Sequence, residues 1–298
     1  MKNLGVRTAS AVVMIALVVA AILLRGLLLM TLASAAAVLA AHEFYSIARK
    51  AGYKPWYSIG IAAALMLSLR GYLSGDILAG SASAEPGAGA ELMLLAVVLL
   101  LVLGRMGLEW LRAPQPAARG GTAVAGRSPF LAWADLGLTL GGALYVGGLL
   151  GYAPLLAALE PSGGAGGGTA WLFMVLVGTA ACDSGAYFVG SLVGRHKMIP
   201  HISPGKTWEG LVGGTVGGLV AALAMSGLLG LDGVQAVVLG LLISAAAVAG
   251  DLVESLFKRA AGVKDSGSLI PGHGGVLDRI DSILFVLPVT YLFATSVG

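Results

Sequence analysis

The sequence predicts an all-α polytopic integral membrane protein of about nine transmembrane helices, and three observations carry that prediction. Of 298 residues, 57% are hydrophobic and only 11% charged, where a soluble domain carries about a quarter charged residues; the mean hydropathy is +0.91. Nine apolar runs approach the roughly 20 residues needed to cross about 30 Å of hydrocarbon, and none alternates with a two-residue period. Of the 18 Lys and Arg residues, 16 fall in alternate connecting segments. Backbone facing lipid must satisfy its own hydrogen bonds, so these runs read as helices. The composition excludes an ordinary soluble globule and a disordered chain, and 46 glycines without a three-residue period exclude collagen. The lone Cys182 allows no intrachain disulfide and no cysteine-based zinc site.

The runs are 8–24, 26–44, 57–75, 90–108, 133–155, 170–192, 209–230, 234–254 and 281–297. Only Arg25 and Gly26 separate the first two, which form either a tight hairpin or one segment. Lys2 and Arg7 ahead of an apolar run have the look of a secretory signal, but more apolar sequence follows instead of a cleavage site and a polar mature start. Segments 1–7, 45–56, 105–132, 193–208 and 251–281 hold the basic residues, leaving only Arg25 and Arg70 elsewhere. The positive-inside rule then puts the N-terminus in the cytoplasm and the C-terminus outside. Residues 113–129, APQPAARGGTAVAGRSP, read as a flexible cytoplasmic linker, and 161–168, PSGGAGGG, as an external one. The first linker divides an N-terminal membrane region, 1–130, of about four helices from a C-terminal catalytic region, 131–298, of about five. The GxxxG pairs Gly137 with Gly141 and Gly213 with Gly217 lie on expected spans and read as helix-packing contacts, the alternative being a dimer interface.

Charge is concentrated at 251–281, which holds 9 of the chain's 33 charged residues. Asp251, Ser255 and Lys258, spaced i, i+4, i+7, share one helix face. Lys264 and Asp265 follow, then Pro271-Gly272-His273-Gly274-Gly275, which cannot continue a helix and suits close backbone approach to a ligand. Asp278 and Asp281 share a face of the last helix's first turn. Carboxylates converging near a membrane are costly unless cations neutralise them. Such oxygens suit Mg²⁺, and Lys258, Arg259, Lys264 and Arg279 can hold phosphate oxygens the metal does not reach. The combination is what phosphoryl or nucleotidyl transfer requires; the bland alternative is a solvated loop of paired charges. Asp183 lies inside an apolar run, where an aspartate costs about 2.5–3.5 kcal/mol, so it is expected to face a polar cavity, or else to hold helices together. The stretch His201–Gly210 contains GKT but lacks a P-loop's first glycine and follows no expected buried strand. Ser203, Lys206 and Thr207 remain candidates for phosphate or ribose oxygens at a helix start. His196 and His201 read as exposed loop histidines.

Residues 255–281, SLFKRAAGVKDSGSLIPGHGGVLDRID, closely resemble the signature of the phosphatidate cytidylyltransferases, or CDP-diacylglycerol synthases. The matching positions are Ser255, Lys258, Arg259, Lys264, Asp265, Pro271, His273, Gly274, Gly275, Asp278, Arg279 and Asp281, with unbroken spacing. GDLVES, SPGKTWEG and DSGAYFVG are also similar to family segments, so the likeness covers roughly the C-terminal 130 residues. Glu43, in AHEFY, matches an acidic position of the family only loosely and reads as a helix-end polar residue. The resemblance implies transfer of CMP from CTP to phosphatidate on the cytoplasmic side of a bacterial inner membrane. It also implies dependence on Mg²⁺ with K⁺ beside it, and a homodimer; nucleic acid is not an expected partner. Under that reading Asp251, Asp278 and Asp281 hold Mg²⁺, while Lys258, Lys264 and His273 complete the catalytic set. Ser255, Arg259, Asp265, Gly274, Gly275, Arg279, Ser203, Lys206, Thr207 and Asp183 surround the substrates. Competing readings are a cytidylyltransferase for another lipid phosphate such as an archaeal ether lipid, a polyprenol-linked kinase, a transporter, or a scaffold whose charges are dispensable.

Overall fold

The computed structural model describes residues 2–73, 129–159, 166–270 and 272–297. Helices α1 (Lys2–Leu24) and α2 (Gly26–Lys50) are separated by Arg25 alone, and Arg25 (φ 49°) and Gly26 (φ 48°) both stand in the left-handed region. A right-handed helix cannot run through two such residues, so the chain reverses. Arg25 Nε donates to Thr169 Oγ1 at the turn, whereas Arg7 and Glu43, near the other ends of the two helices, both reach the segment 266–277. The first two runs are therefore a hairpin.

Helix α3 (Tyr57–Ser68) is shorter than the expected run 57–75, since it stops at Leu69 before the four-residue α4 (Arg70–Leu73). The run 90–108, nearly all of the linker 113–129, and residues 161–165 lie outside the described residues. Helix α5 (Pro129–Gly142) continues through a π-helical turn (Ala143–Gly148), and α6 (Tyr152–Ala157) follows. Then come α7 (Gly167–Val193), β1 (Lys197–Ile199), β2 (Ser203–Thr207), α8 (Trp208–Leu229), α9 (Gly233–Ala260) and α10 (Leu277–Val297). Among the described residues seven helical stretches are long and apolar enough to cross a bilayer, with α3 as a shorter apolar one. The chain is a helical membrane protein. The small antiparallel β1–β2 hairpin departs from a purely helical reading, and the GKT stretch forms its second strand.

Local chemistry fixes the starts of the helices that carry the site. Thr207 Oγ1 accepts from the Gly210 amide at 3.0 Å and caps α8, which ends at Gly230 in the left-handed region (φ 68°). Asp232 and Gln235 form a reciprocal capping box on α9. Helix α10 starts at the site and runs to the opposite face, where Phe293 packs on Trp171 near the start of α7.

Glycines set the closest crossings. A Cβ at Gly217 would run into the Ala181 carbonyl, and one at Gly213 would meet Val189, so this pair lets α8 lie directly on α7. Gly137 and Gly141 differ: among the described residues a Cβ at either meets nothing within 4 Å, so the packing expected of that pair is not made with any described element. Gly217→Ala should therefore destabilise the protein by about 1–3 kcal/mol through overpacking. Gly137→Ala should leave thermal unfolding in detergent unchanged or slightly raised, because alanine favours the helix. Equal melting temperatures for the two variants would contradict this packing.

Candidate active site

Seven helices and strands and the loop before α10 converge on one face of the bundle around a cavity of about 780 Å³. Its wall takes Asp183 from α7, Ser203, Lys206 and Thr207 from β2, Asp251 and Lys258 from α9, and Asp278, Arg279 and Asp281 from α10. The loop before α10 adds Asp265, His273 and Gly274, and α1 adds Arg7. Residues far apart in sequence meet here because of one close crossing. A Cβ on Gly250 would lie 3.0 Å from the Ser282 Cα and strike the Asp281 carbonyl, so the missing side chain brings Asp251 beside Asp281.

The carboxylates divide into two groups. Asp183, Asp251 and Asp281 open onto the cavity, where Asp281 lies within the electrostatic reach of both others. Lys206 Nζ stands 2.8 Å from Asp251 Oδ2 and offsets part of this charge. Ser255 Oγ donates to Asp251 Oδ1 at 3.1 Å, which orients that carboxylate. Asp278, by contrast, is turned toward its own loop. Its Oδ1 accepts from Lys258 Nζ at 2.7 Å, and its Oδ2 accepts from the Ser266 and Gly275 amides at 3.0 Å each. Lys258 also pairs with Glu254, one turn back on α9, whose side chain is fully buried.

Among the described residues no three His, Cys, Asp or Glu side chains are grouped closely enough to hold a metal ion on their own. Of the three carboxylates expected to hold a metal, Asp278 is engaged by an ammonium and two amides and Asp251 by Lys206 and Ser255.

Other expected site residues fall behind or beside the wall. Arg259 is exposed and donates to the Ile202 and Val263 carbonyls at 3.1 and 3.0 Å, fastening the β-hairpin to the end of α9. Lys264 is exposed and does not line the cavity. Gly275 is buried against Ser266 and Glu43, so its lack of a side chain serves loop packing rather than contact with a ligand. Gly274 (φ 85°) and Gly272 (φ 76°) occupy conformations that favour glycine. His201 is exposed as expected. His196, with a side chain 77% exposed, is held at Nδ1 by Glu209 Oε1, so it is exposed but partnered.

The residue least expected here is Glu43. It is 3% exposed and lies under the signature loop. Its Oε2 accepts from Ser266 Oγ at 3.0 Å and from the Leu277 amide at 2.8 Å, while Oε1 accepts from the Val276 amide at 3.0 Å. The carboxylate caps the positive end of α10 and ties the loop to α2. Phe44 beside it stacks on Phe257 of α9 at 4.2 Å, closing the same corner. Reading it as a helix-end polar residue is therefore corrected. The signal was present: Glu43 is the first acidic residue of the chain, with none again before Asp76, and an acid so placed in an apolar run needs a partner.

Fold and cavity together gather carboxylates, a chemistry that suits a hard cation, with ammonium and guanidinium groups, a chemistry that suits anionic oxygens, on one face of an apolar helical bundle. The chain belongs to the cytidylyltransferase family, whose profile matches residues 5–297. It is 47% identical over 123 residues to the phosphatidate cytidylyltransferase of Haemophilus influenzae, covering 39% of this chain and 43% of the relative. It is 46% identical over 126 residues to the phosphatidate cytidylyltransferase of Bacillus subtilis, covering 42% and 47%. A 145-residue stretch is 45% identical to the uncharacterized protein YnbB of Escherichia coli, covering 48% of each chain. The matched stretches span less than half the length of these relatives.

Proposed function

We propose that this chain transfers CMP from CTP to phosphatidate, giving CDP-diacylglycerol and pyrophosphate, at the cytoplasmic face of a bacterial inner membrane. The observation that carries the reading is one cavity lined by Asp183, Asp251 and Asp281 together with Lys206 and Lys258, among the helices long and apolar enough to cross a membrane. The sidedness rests on the basic residues, 16 of 18 of which lie in the segments expected on that face.

The three cavity-facing carboxylates fit Mg²⁺, which binds one or two carboxylates plus water and substrate phosphates. Asp251 and Asp281 would hold it, with Asp183 completing the acidic wall. When bound, Mg²⁺ supplies charge neutralisation for the phosphates and for the leaving pyrophosphate. The chain's own residues bind and orient. Lys206 and Lys258 offset charge on the triphosphate, and the Ser203 and Thr207 stretch shapes the wall beside it. A phosphate oxygen of phosphatidate attacks the α-phosphorus of CTP in line; the new P–O bond forms as the bond to the β-phosphate oxygen breaks. Phosphatidate is already anionic near neutral pH, so no general base is required. K⁺ beside Mg²⁺ and assembly as a homodimer belong to the same proposal.

Detergent-purified protein incubated with α-phosphate-labelled CTP, Mg²⁺, K⁺ and phosphatidate should place label in the lipid phase. Asp281→Asn should lower that rate by about 10²–10³-fold while leaving thermal unfolding near wild type. Folded wild type that labels no phosphatidate would overturn the reading. Near-normal turnover by Asp281→Asn at saturating Mg²⁺ would remove that residue from the metal set.

A further inference from the structure

Helix α1 is the least buried of the seven long apolar helices among the described residues. Only 11% of its apolar window is buried, and Val12, Val13, Ile15 and Leu17 are 61%, 67%, 57% and 45% exposed. Its first turns nonetheless reach the cavity. Arg7 lines the wall, its Nε donates to the Gly272 carbonyl at 2.8 Å, and one turn later Ser10 Oγ lies 2.9 Å from His273 Nδ1. Gly272 is shaped to receive that arginine, since a Cβ there would lie 2.6 Å from Arg7 Cγ.

Arg279 approaches the same dipeptide from α10. Its Nε donates to the His273 carbonyl at 3.0 Å, and it too lines the cavity. Two guanidinium groups are thus fixed through Nε on the consecutive carbonyls of residues 272 and 273. Their terminal amino groups make no hydrogen bond or ion pair among the described residues. Fixed forks of this kind match a phosphate, because two parallel N–H donors meet two of its oxygens. Lys206 and Lys258, which the nucleotide reading gives to the triphosphate, also pair with Asp251, Glu254 and Asp278, whereas Arg7 and Arg279 pair with no carboxylate among the described residues.

We propose that Arg7 and Arg279 form the seat for the phosphomonoester headgroup of the lipid substrate, which reaches the cavity along the exposed apolar face of α1. The assignment rests on the cytidylyltransferase reading and deepens it by separating the lipid phosphate from the nucleotide. Arg7 is the decisive member, since it alone comes from the lipid-facing helix.

The test is steady-state kinetics in mixed micelles, varying phosphatidate at saturating CTP and CTP at saturating phosphatidate, for wild type, Arg7→Ala and Arg7→Lys. Arg7→Ala should raise the KM for phosphatidate about 10- to 100-fold, with the KM for CTP changed by no more than about twofold. Arg7→Lys should recover only part of the loss, since it keeps the charge and loses the fork. Thermal stabilisation by CTP should survive in both variants, which separates this outcome from misfolding. A selective rise in the KM for CTP would give the pair to the triphosphate, and an equal fall in kcat for both titrations would make Arg7 a strut for the loop; either overturns the proposal. Calorimetric binding of dihexanoyl phosphatidate, compared with inorganic phosphate, supplies an arm independent of turnover. If wild type makes no product yet binds the short-chain lipid far more tightly than Arg7→Ala does, the activity fails and the seat stands. If both bind it equally, the seat fails. Inorganic phosphate binding as tightly as the short-chain lipid would mark a general anion site and overturn the lipid assignment.

Discussion

Glu43→Ala is expected to abolish most activity and to destabilise the protein by about 3 kcal/mol or more. The carboxylate is buried and accepts from Ser266 Oγ and from the amides of Val276 and Leu277. Removing it leaves three donors unsatisfied in an interior where each costs about 1–3 kcal/mol. It also removes the negative charge at the start of α10, the helix that carries Asp278, Arg279 and Asp281. Displacing those side chains by about an ångström costs about 10²-fold in rate, and the fall should appear in kcat more than in the KM for CTP. Glu43→Gln should lie between, because its single carbonyl oxygen can replace only part of the bonding and its amide NH₂ confronts a donor. Unfolding in detergent and turnover, measured on both variants, check this. Glu43→Ala protein that turns over near the wild-type rate would show that the loop holds its shape without the anchor.

That anchor marks where the sequence stops being sufficient. The helices following the first linker were legible because hydropathy reports the membrane: the runs 209–230, 234–254 and 281–297 correspond to α8, α9 and α10. The ends differ for the same reason. Helix α9 extends to Ala260 and α10 begins at Leu277, carrying charged turns beyond the hydrocarbon that no apolar window includes. The signature residues were legible because their spacing is local, and most of them line one cavity. Their division of labour was not. Asp278 and Asp281 are three residues apart on one helix and both line the cavity, yet Asp278 alone is bound by Lys258 and two loop amides. Only the position of Lys258 and of the Ser266 and Gly275 amides decides that. Glu43 and Arg7 escape any local pattern, since their partners lie 223 or more residues away in the chain. Short features such as the π-helical turn at Ala143–Gly148 leave no periodic trace either.

The second large effect is expected at Lys258, whose side chain is 12% exposed between Glu254 at 0% and Asp278 at 9%. One buried ammonium serves two carboxylates. Lys258→Met leaves both without their cation, and breaking a buried pair in this way costs about 3–5 kcal/mol. The loss should exceed that of a surface charge change, because Glu254 has no route to water. Asp278 would keep its two amide donors, so the loop should loosen rather than detach. Replacing Glu254 at the same time separates stability from chemistry. In Lys258→Met/Glu254→Leu the buried acid is gone and two apolar side chains take the place of the pair, so much of the lost stability should return, as buried ion pairs often exchange with apolar groups at little cost. Activity should not return, since the cavity still lacks the ammonium that Lys258 presents to it. Thermal unfolding and CTP turnover on the two variants read these outcomes independently. A double variant as unstable as the single one would mean that Asp278, not Glu254, carries the cost of losing Lys258. A double variant with restored turnover would remove Lys258 from the substrate-binding wall and leave it a purely structural cation.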